Sequence, residues 1–351
     1  MKNSNPLLSL TTSGIAILAA FLLSSYADEI DWNKAKELRQ KSRTGQTLSP
    51  EETAYLQRAI DARSGSSATR GDGSGEVATV EPMVISEEAS PIKTLTATAS
   101  DGNKIDFAYR SPQAKRPLPT IVFIHGSLGQ RRLPDLIEDL KSNPTQTRFL
   151  AAGYVAVAAT FRTYVEEPLS NGPTLDLIAI VKEVRKLPEV DPESIVIFGT
   201  SGGGSIALEL AGSQEVSFPA IVIGEPATIL FTGLMTELSM REPAMKNYET
   251  LYTEERRLAT EKKIDAISCP LLVHHGDIHP LRKINFEIVF PAIEKAGKTI
   301  LIKRYPGEDH GFYWGNRTSE ATVEAVVSST LEFIEPLLKS PPADPGVSIA
   351  N

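Results

Sequence analysis

The sequence predicts an α/β domain built on a parallel sheet whose strands are buried on both faces. Three observations predict it. Short apolar runs alternate with helix-patterned segments from about residue 118 onward. The runs are apolar throughout rather than at every second position, the mark of strands buried on both faces. The segments between them can serve as helical crossovers, which parallel strands require.

The elements follow in order. "IKTLTATAS" and "NKIDFAYR" flank Asp101-Gly102 and predict a β-hairpin. The buried strands are "TIVFIHG", "YVAVAATF", "SIVIFG", "PAIVIGE", "PLLVHHG" and "KTILIKRYP". Between them lie "LPDLIEDLKS" and "TQTRFLAAG", then "TLDLIAIVKEVRKL", "GGSIALELA" and "RKINFEIVFPAIEKAG". "SEATVEAVVSSTLEFIEPLL" closes the domain, assigned to residues 77–340. Residues 229–266 are helical in pattern with no strand signal and predict a small cap inserted in the domain.

The flanks read differently. Lys2, an apolar stretch from Leu7 to Leu23, and the small residues Ser25 and Ala27 form an export signal, with cleavage expected after Ala27. This predicts a periplasmic or secreted protein, membrane-bound only if the signal is uncleaved. Residues 28–63 predict a small helical segment. In it Ser49, Pro50 and Glu52 form a capping-box pattern. Residues 64–76 are Gly/Ser-rich and read as a flexible linker. Residues 341–351 read as a disordered tail.

Composition narrows the classes. The chain has 351 residues, 41% of them hydrophobic, enough for a large core without disulfides. The lone cysteine, Cys269, sits in an apolar run and reads as a buried thiol. A net charge of -8 without a basic run gives nucleic-acid binding no electrostatic footing.

The chemistry concentrates at "SIVIFGTSGGGSIALELAG". Gly199-Thr200-Ser201-Gly202-Gly203 is G-x-S-x-G, set where a strand turns into a helix. Glycines allow the close strand–helix approach, Ser201 projects above the sheet as a nucleophile, and the Gly202 N–H faces a developing oxyanion. The overlapping G-x-G-x-x-A of Gly202, Gly204 and Ala207, with Glu225 ending the next strand, has the outline of a dinucleotide fingerprint. Its register fails, because three residues separate the strand from the first glycine of the pattern. A phosphate-binding loop fails too, since no Lys-Ser/Thr pair follows the glycines. "TIVFIHGSLG" offers the Ser127 N–H as the second oxyanion donor, with that of Leu128 as the neighbouring option and His125 as a structural residue. "YPGEDHGFYWG" offers His310 as general base.

The order of "HGSLG", "TFR", "VDPESIVIFGTSGGG" and "EDHGF" resembles the α/β-hydrolase superfamily, within it the dienelactone-hydrolase and prolyl-oligopeptidase-type catalytic domains, over about residues 90–338. The resemblance implies a three-layer α/β-hydrolase fold, a mostly parallel sheet of about eight strands with helices on both faces, together with a Ser-acid-His triad and no metal or organic cofactor. Prolyl oligopeptidases carry a β-propeller before this domain; the residues ahead of 90 are too few for one, so an esterase-like member is expected.

The acid is the point of departure. Such families commonly place it in H-G-x-x-D after the seventh strand, whereas here "HHGDIHPL" has His279 at that position and Asp277 two residues early. Asp277 is the first choice and Glu225 the alternative. His274, His275 and His279 lack a recognisable metal-ligand spacing, and His274 and His275 point to opposite faces of one strand, so they cannot easily share an ion. The expected function is an exported serine hydrolase acting on small-molecule or carbohydrate-linked carboxylic esters. The alternatives are a peptidase with the same residues, or a hydrolase-fold binding protein without catalysis.

Overall fold

The computed structural model describes residues 31, 34, 38, 41, 49, 51–53, 55, 90–314, 319–339 and 341–342. The expected export signal, the linker and most of the tail lie outside the described residues. The chain forms two compact units, residues 1–73 and 74–351. In the first, Ser49 and Glu52 close the expected capping box: the Glu52 N–H donates to Ser49 Oγ at 3.1 Å and the Ser49 N–H to the Glu52 carboxylate at 2.9 Å. Lys41 pairs with the same carboxylate at 3.0 Å.

The second unit is built on one eight-stranded sheet. Its strands are β1 (Lys93–Thr98), β2 (Lys104–Arg110), β3 (Leu118–Ile124), β4 (Val155–Ala159), β5 (Val190–Thr200), β6 (Ile221–Gly224), β7 (Leu271–Gly276) and β8 (Ile300–Tyr305). Their spatial order is β1-β2-β4-β3-β5-β6-β7-β8. β1 and β2 form the expected hairpin, with Gly102 at φ 87° in its turn, and β2 meets β4 antiparallel. From β4 to β8 every pairing is parallel.

Burial explains that arrangement. Every residue of β3, β4, β6 and β7 is buried, as the continuous apolar runs require. The period of two then divides them between two cores. Val122, Ile124, Ile197, Ile221 and Ile223 face one layer with Leu177, Ile206 and Ile293. Ile121, Phe123, Phe198, Val222 and Leu272 face the other with Leu136, Phe149 and Val327. The edge strand β8 has no fully buried residue and carries Lys303 and Arg304, charges that discourage edge-to-edge pairing.

The helices fall in the expected places: α1 (Leu133–Ser142), α2 (Pro144–Ala151), α3 (Gly172–Val184) and α4 (Gly202–Ala211). Between β6 and β7 the chain runs through α5 (Thr228–Phe231), α6 (Arg241–Lys246), α7 (Tyr248–Leu251) and α8 (Glu254–Ala266), with no strand. After β7 one continuous helix was expected. Instead α9 (Arg282–Ile284) passes through a π turn at Asn285–Val289 into α10 (Phe290–Lys295). Pro291 is the cause, because it has no N–H for the regular ladder and its ring crowds the preceding turn. α11 (Glu320–Ile334) closes the sheet. No helix among the described residues is long and apolar enough to cross a membrane.

Candidate active site

The chain leaves β3 for β4 on one side and returns to β5 on the other. Loops at such a reversal part, opening a crevice at the carboxyl ends of the strands. Ser201 lies there, immediately after β5 and before α4, with φ 52° and ψ -113°. A serine at positive φ is strained, and three contacts hold it. Its N–H donates to the Gly224 carbonyl at 2.9 Å, and its own carbonyl accepts from Ala227 N–H at 2.9 Å and Ser205 N–H at 3.2 Å.

The glycines around it are steric necessities. A Cβ on Gly199 would fall 2.7 Å from the Ala207 Cβ and closer still to the Gly203 carbonyl. A Cβ on Gly203 would fall 2.7 Å from the Ile124 carbonyl oxygen and collide with that of His125. The strand–turn–helix motif thus packs directly against the end of β3. There His125, as expected, is structural. Its ring stacks on Phe161 at 4.4 Å and its Nε2 meets Thr160 Oγ1 at 2.9 Å. Burial lowers its pKa to about 4.

Ser127, at φ 84°, and Gly202 come together across the crevice. A Cβ on Gly202 would lie 3.1 Å from the Ser127 carbonyl carbon. Both line a cavity of 530 Å³ that is also lined by Ser201 and His310. The four candidates from the sequence for nucleophile, base and oxyanion donors therefore share one cavity.

The acid is where sequence and structure part. Asp277 lies one residue beyond β7, and its N–H still bonds the Tyr305 carbonyl of β8 at 3.2 Å. That extension holds the residue beside β8, where its carboxylate accepts from Arg304 Nη2 at 2.8 Å and Nε at 3.1 Å. The carboxylate beside His310 is instead Glu225, whose Oε2 is 3.5 Å from His310 Nδ1. Glu225 follows β6, is fully buried and adopts φ 47°. Its two oxygens accept from Gly311 N–H at 2.5 Å and Gly276 N–H at 3.3 Å. Arg162, a conceivable partner for Glu225, is committed to Asp176 and Asp101.

Burial dominates the electrostatics. It pushes Glu225 up to about 8, against the two glycine N–H groups, and the Asp309 and Glu308 charges add to the rise. Burial also lowers the pKa of His310; Asp309 opposes that shift and Arg241 reinforces it. With Nδ1 turned to Glu225, the opposite ring nitrogen is the one left to serve a neighbouring hydroxyl.

Two neighbours were not anticipated. His279 is buried, accepts the Leu281 N–H on Nδ1 at 3.2 Å and lies with its ring 4.6 Å from that of His310. Glu225, His279 and His310 each bring a donor atom within 4.8 Å of the others, a His₂Glu set whose chemistry suits a transition metal. In the sequence His274, His275 and His279 showed no recognisable metal-ligand spacing, with a separate argument against the pair on β7. These do lie on opposite faces: His274 bonds Tyr305 and Thr330, and His275 meets Asn285 at 3.0 Å. Asn285 sits in the π turn and also donates to the Pro226 carbonyl, tying the turn after Glu225 to the helix after β7. The histidine at the usual acid position was the available signal for the first neighbour, and the interior proline for the second.

Comparisons with known proteins bear on the fold and the family. A solved esterase from Thermogutta terrifontis with bound propionate is 21% identical, at TM-score 0.53 over 71% of this chain and 96% of its own. A puromycin-hydrolyzing peptidase from Mycobacterium tuberculosis is 19% identical, at TM-score 0.55 over 73% of this chain and 40% of its own. These likenesses show the α/β-hydrolase fold. The quorum-quenching protein AidA of Acinetobacter baumannii (strain MDR-ZJ06) is 28% identical over 136 residues, 37% of this chain. That match spans 42% of the relative's length. The prolyl oligopeptidase family matches residues 156–340, which include Ser201, Glu225 and His310 and exceed half of the sequence, and the chain belongs to this family of serine hydrolases.

Proposed function

We propose that the protein hydrolyses carboxylic esters through an acyl-enzyme on Ser201. The observation that carries the reading is Ser201, strained at a strand–helix turn, lining the same cavity as a His310 backed by buried Glu225. Ser201 Oγ attacks the acyl carbon and its proton passes to His310. The Ser127 and Gly202 N–H groups hold the oxyanion of the tetrahedral intermediate. His310 gives the proton to the departing alcohol, and the acyl group stays on Ser201. Water then attacks, again losing its proton to His310, and the acid and free Ser201 are released. Glu225 orients the imidazole through Nδ1 and stabilises its charged form.

Peptide-bond cleavage by the same residues is the second reading, and membership of the prolyl oligopeptidase family favours it. The cavity lining favours esters: among the described residues it contains no acidic side chain to hold the amino terminus of a peptide. Measuring kcat/KM on 4-nitrophenyl butyrate and on aminoacyl 4-nitroanilides separates the readings, with Ser201→Ala as control. Ester turnover that vanishes in the variant is expected. Turnover of the anilides alone would replace the ester reading with the peptidase one. The leader-like residues 1–27 support export, for which a mature protein beginning at Asp28 is the test.

A further inference from the structure

The wall of the cavity contributed by the chain between β6 and β7 is apolar, with Ile229, Leu230, Met235, Leu238 and Met245. Arg241 interrupts it. It is the first residue of α6, it is exposed, and among the described residues it is the only lysine or arginine lining the cavity. None of the described lining residues is acidic. Among the described residues the Arg241 guanidinium makes no hydrogen bond or ion pair, its backbone N–H alone donating to the Leu238 carbonyl, and the acids nearest in sequence are engaged elsewhere. Glu242 pairs with Lys246 at 2.5 Å, and Glu237 accepts from Ser239 at 2.6 Å. Its charge nevertheless reaches the catalytic end of the cavity, where it helps depress the pKa of His310.

A guanidinium with no anion, at the edge of an apolar cavity, is matched by a planar carboxylate that it can grip with two parallel N–H bonds. The same charge repels an ammonium group. We propose that Arg241 is a substrate-binding residue that selects esters carrying a carboxylate apart from the scissile group, their hydrocarbon portion lying on the apolar wall. This rests on the ester-hydrolase reading and names its substrate class. The hydrocarbon supplies non-directional binding energy. The ion pair fixes which end of the substrate faces Ser201, so selectivity is expected in kcat/KM rather than in KM alone.

The test uses matched pairs with the charge on either side of the ester. On the acyl side these are 4-nitrophenyl pentanoate and mono-4-nitrophenyl glutarate; on the alcohol side, phenyl pentanoate and 4-carboxyphenyl pentanoate. The quantity read is the anionic-to-neutral ratio of kcat/KM. Comparing it between wild type, Arg241→Gln and Arg241→Glu cancels differences in leaving-group chemistry. In at least one pair the ratio is expected to fall about five- to tenfold in Arg241→Gln, and further in Arg241→Glu. Ratios equal within twofold across all three proteins, with neutral esters still cleaved by wild type, would overturn this proposal and leave the ester reading standing. Absence of any Ser201-dependent ester cleavage would overturn both.

Discussion

Replacing Glu225 by Gln separates the two carboxylates that the sequence offered. In the structure Glu225 Oε2 lies 3.5 Å from His310 Nδ1, whereas Asp277 is committed to Arg304. Removing the acid of such a triad lowers kcat by on the order of 10³–10⁴-fold, because the imidazole loses its tautomer and its counter-charge. Asp277→Asn is expected to change it less than about threefold, since the Asp277–Arg304 pair is partly exposed and such pairs contribute about 0–1 kcal/mol. The Gln variant also has a stability signature. An amide keeps one carbonyl oxygen, so either Gly311 N–H or Gly276 N–H then faces an NH₂ group, a loss of about 1–3 kcal/mol. Wild type carries the opposing penalty of a buried charge. Glu225 is raised from 4.5 to about 8 by burial, so between those values the folded state binds more protons than the unfolded. Its stability contribution is therefore fully present below the unfolded value and is lost as pH rises through about 8. The loss has an upper limit on the order of 5 kcal/mol. Gln does not titrate. The melting temperature of Glu225→Gln is thus expected below that of wild type at pH 6, with the gap closing or reversing at pH 9. The assays are ester kcat/KM and thermal unfolding at both pH values. Full activity in Glu225→Gln, together with a thousandfold loss in Asp277→Asn, would refute the assignment.

Three further outcomes follow from the same geometry. The Glu225–His310 pair must shed its shared proton before His310 can act as a base, so kcat/KM rises with pH and levels off near or below about 8. A profile that falls across pH 6–8 would contradict this. In Gly203→Ala the new Cβ meets the Ile124 and His125 carbonyls, backbone that cannot swing aside. A stability loss of about 1–3 kcal/mol is expected from overpacking. Displacing the Ser127 loop should lower kcat/KM by on the order of 10²-fold. Unchanged melting and turnover would count against the packing argument. Because the derived steps run on the chain's own side chains, dialysis against EDTA should leave ester turnover unaltered, and a loss restored by Zn²⁺ would give the Glu225, His279 and His310 set a catalytic role.

What could be read from residues alone divides along physical lines. Strands β3 to β8 and helices α1 to α4 follow from local pattern, because continuous burial and helical period are written in consecutive side chains. The positions of Ser201, at a strand–helix turn that needs its glycines, and of His310, in a loop on the same cavity, were equally legible. The acid was not, because its choice depends on where two chain paths end. Continued pairing of Asp277 with β8 turns its carboxylate to Arg304, and the left-handed backbone at Glu225 brings that side chain under His310. Spacing in one loop cannot encode either event. The Glu that closes "AIVIGEP", at the end of a wholly apolar strand, was the signal for a buried carboxylate with a specific partner. Arg241 was less legible still: in a helical insertion without a strand pattern, sequence position does not say which side chains turn toward the cavity.

Labelling with a fluorophosphonate tests the central claim most directly, because it reports a nucleophilic serine without assuming a substrate. Mass spectrometry of the labelled wild type is expected to find the adduct on Ser201, with the rate of labelling collapsing in His310→Ala and in Glu225→Gln. Folded protein that takes no label, or takes it on another serine at an undiminished rate in His310→Ala, would contradict the account.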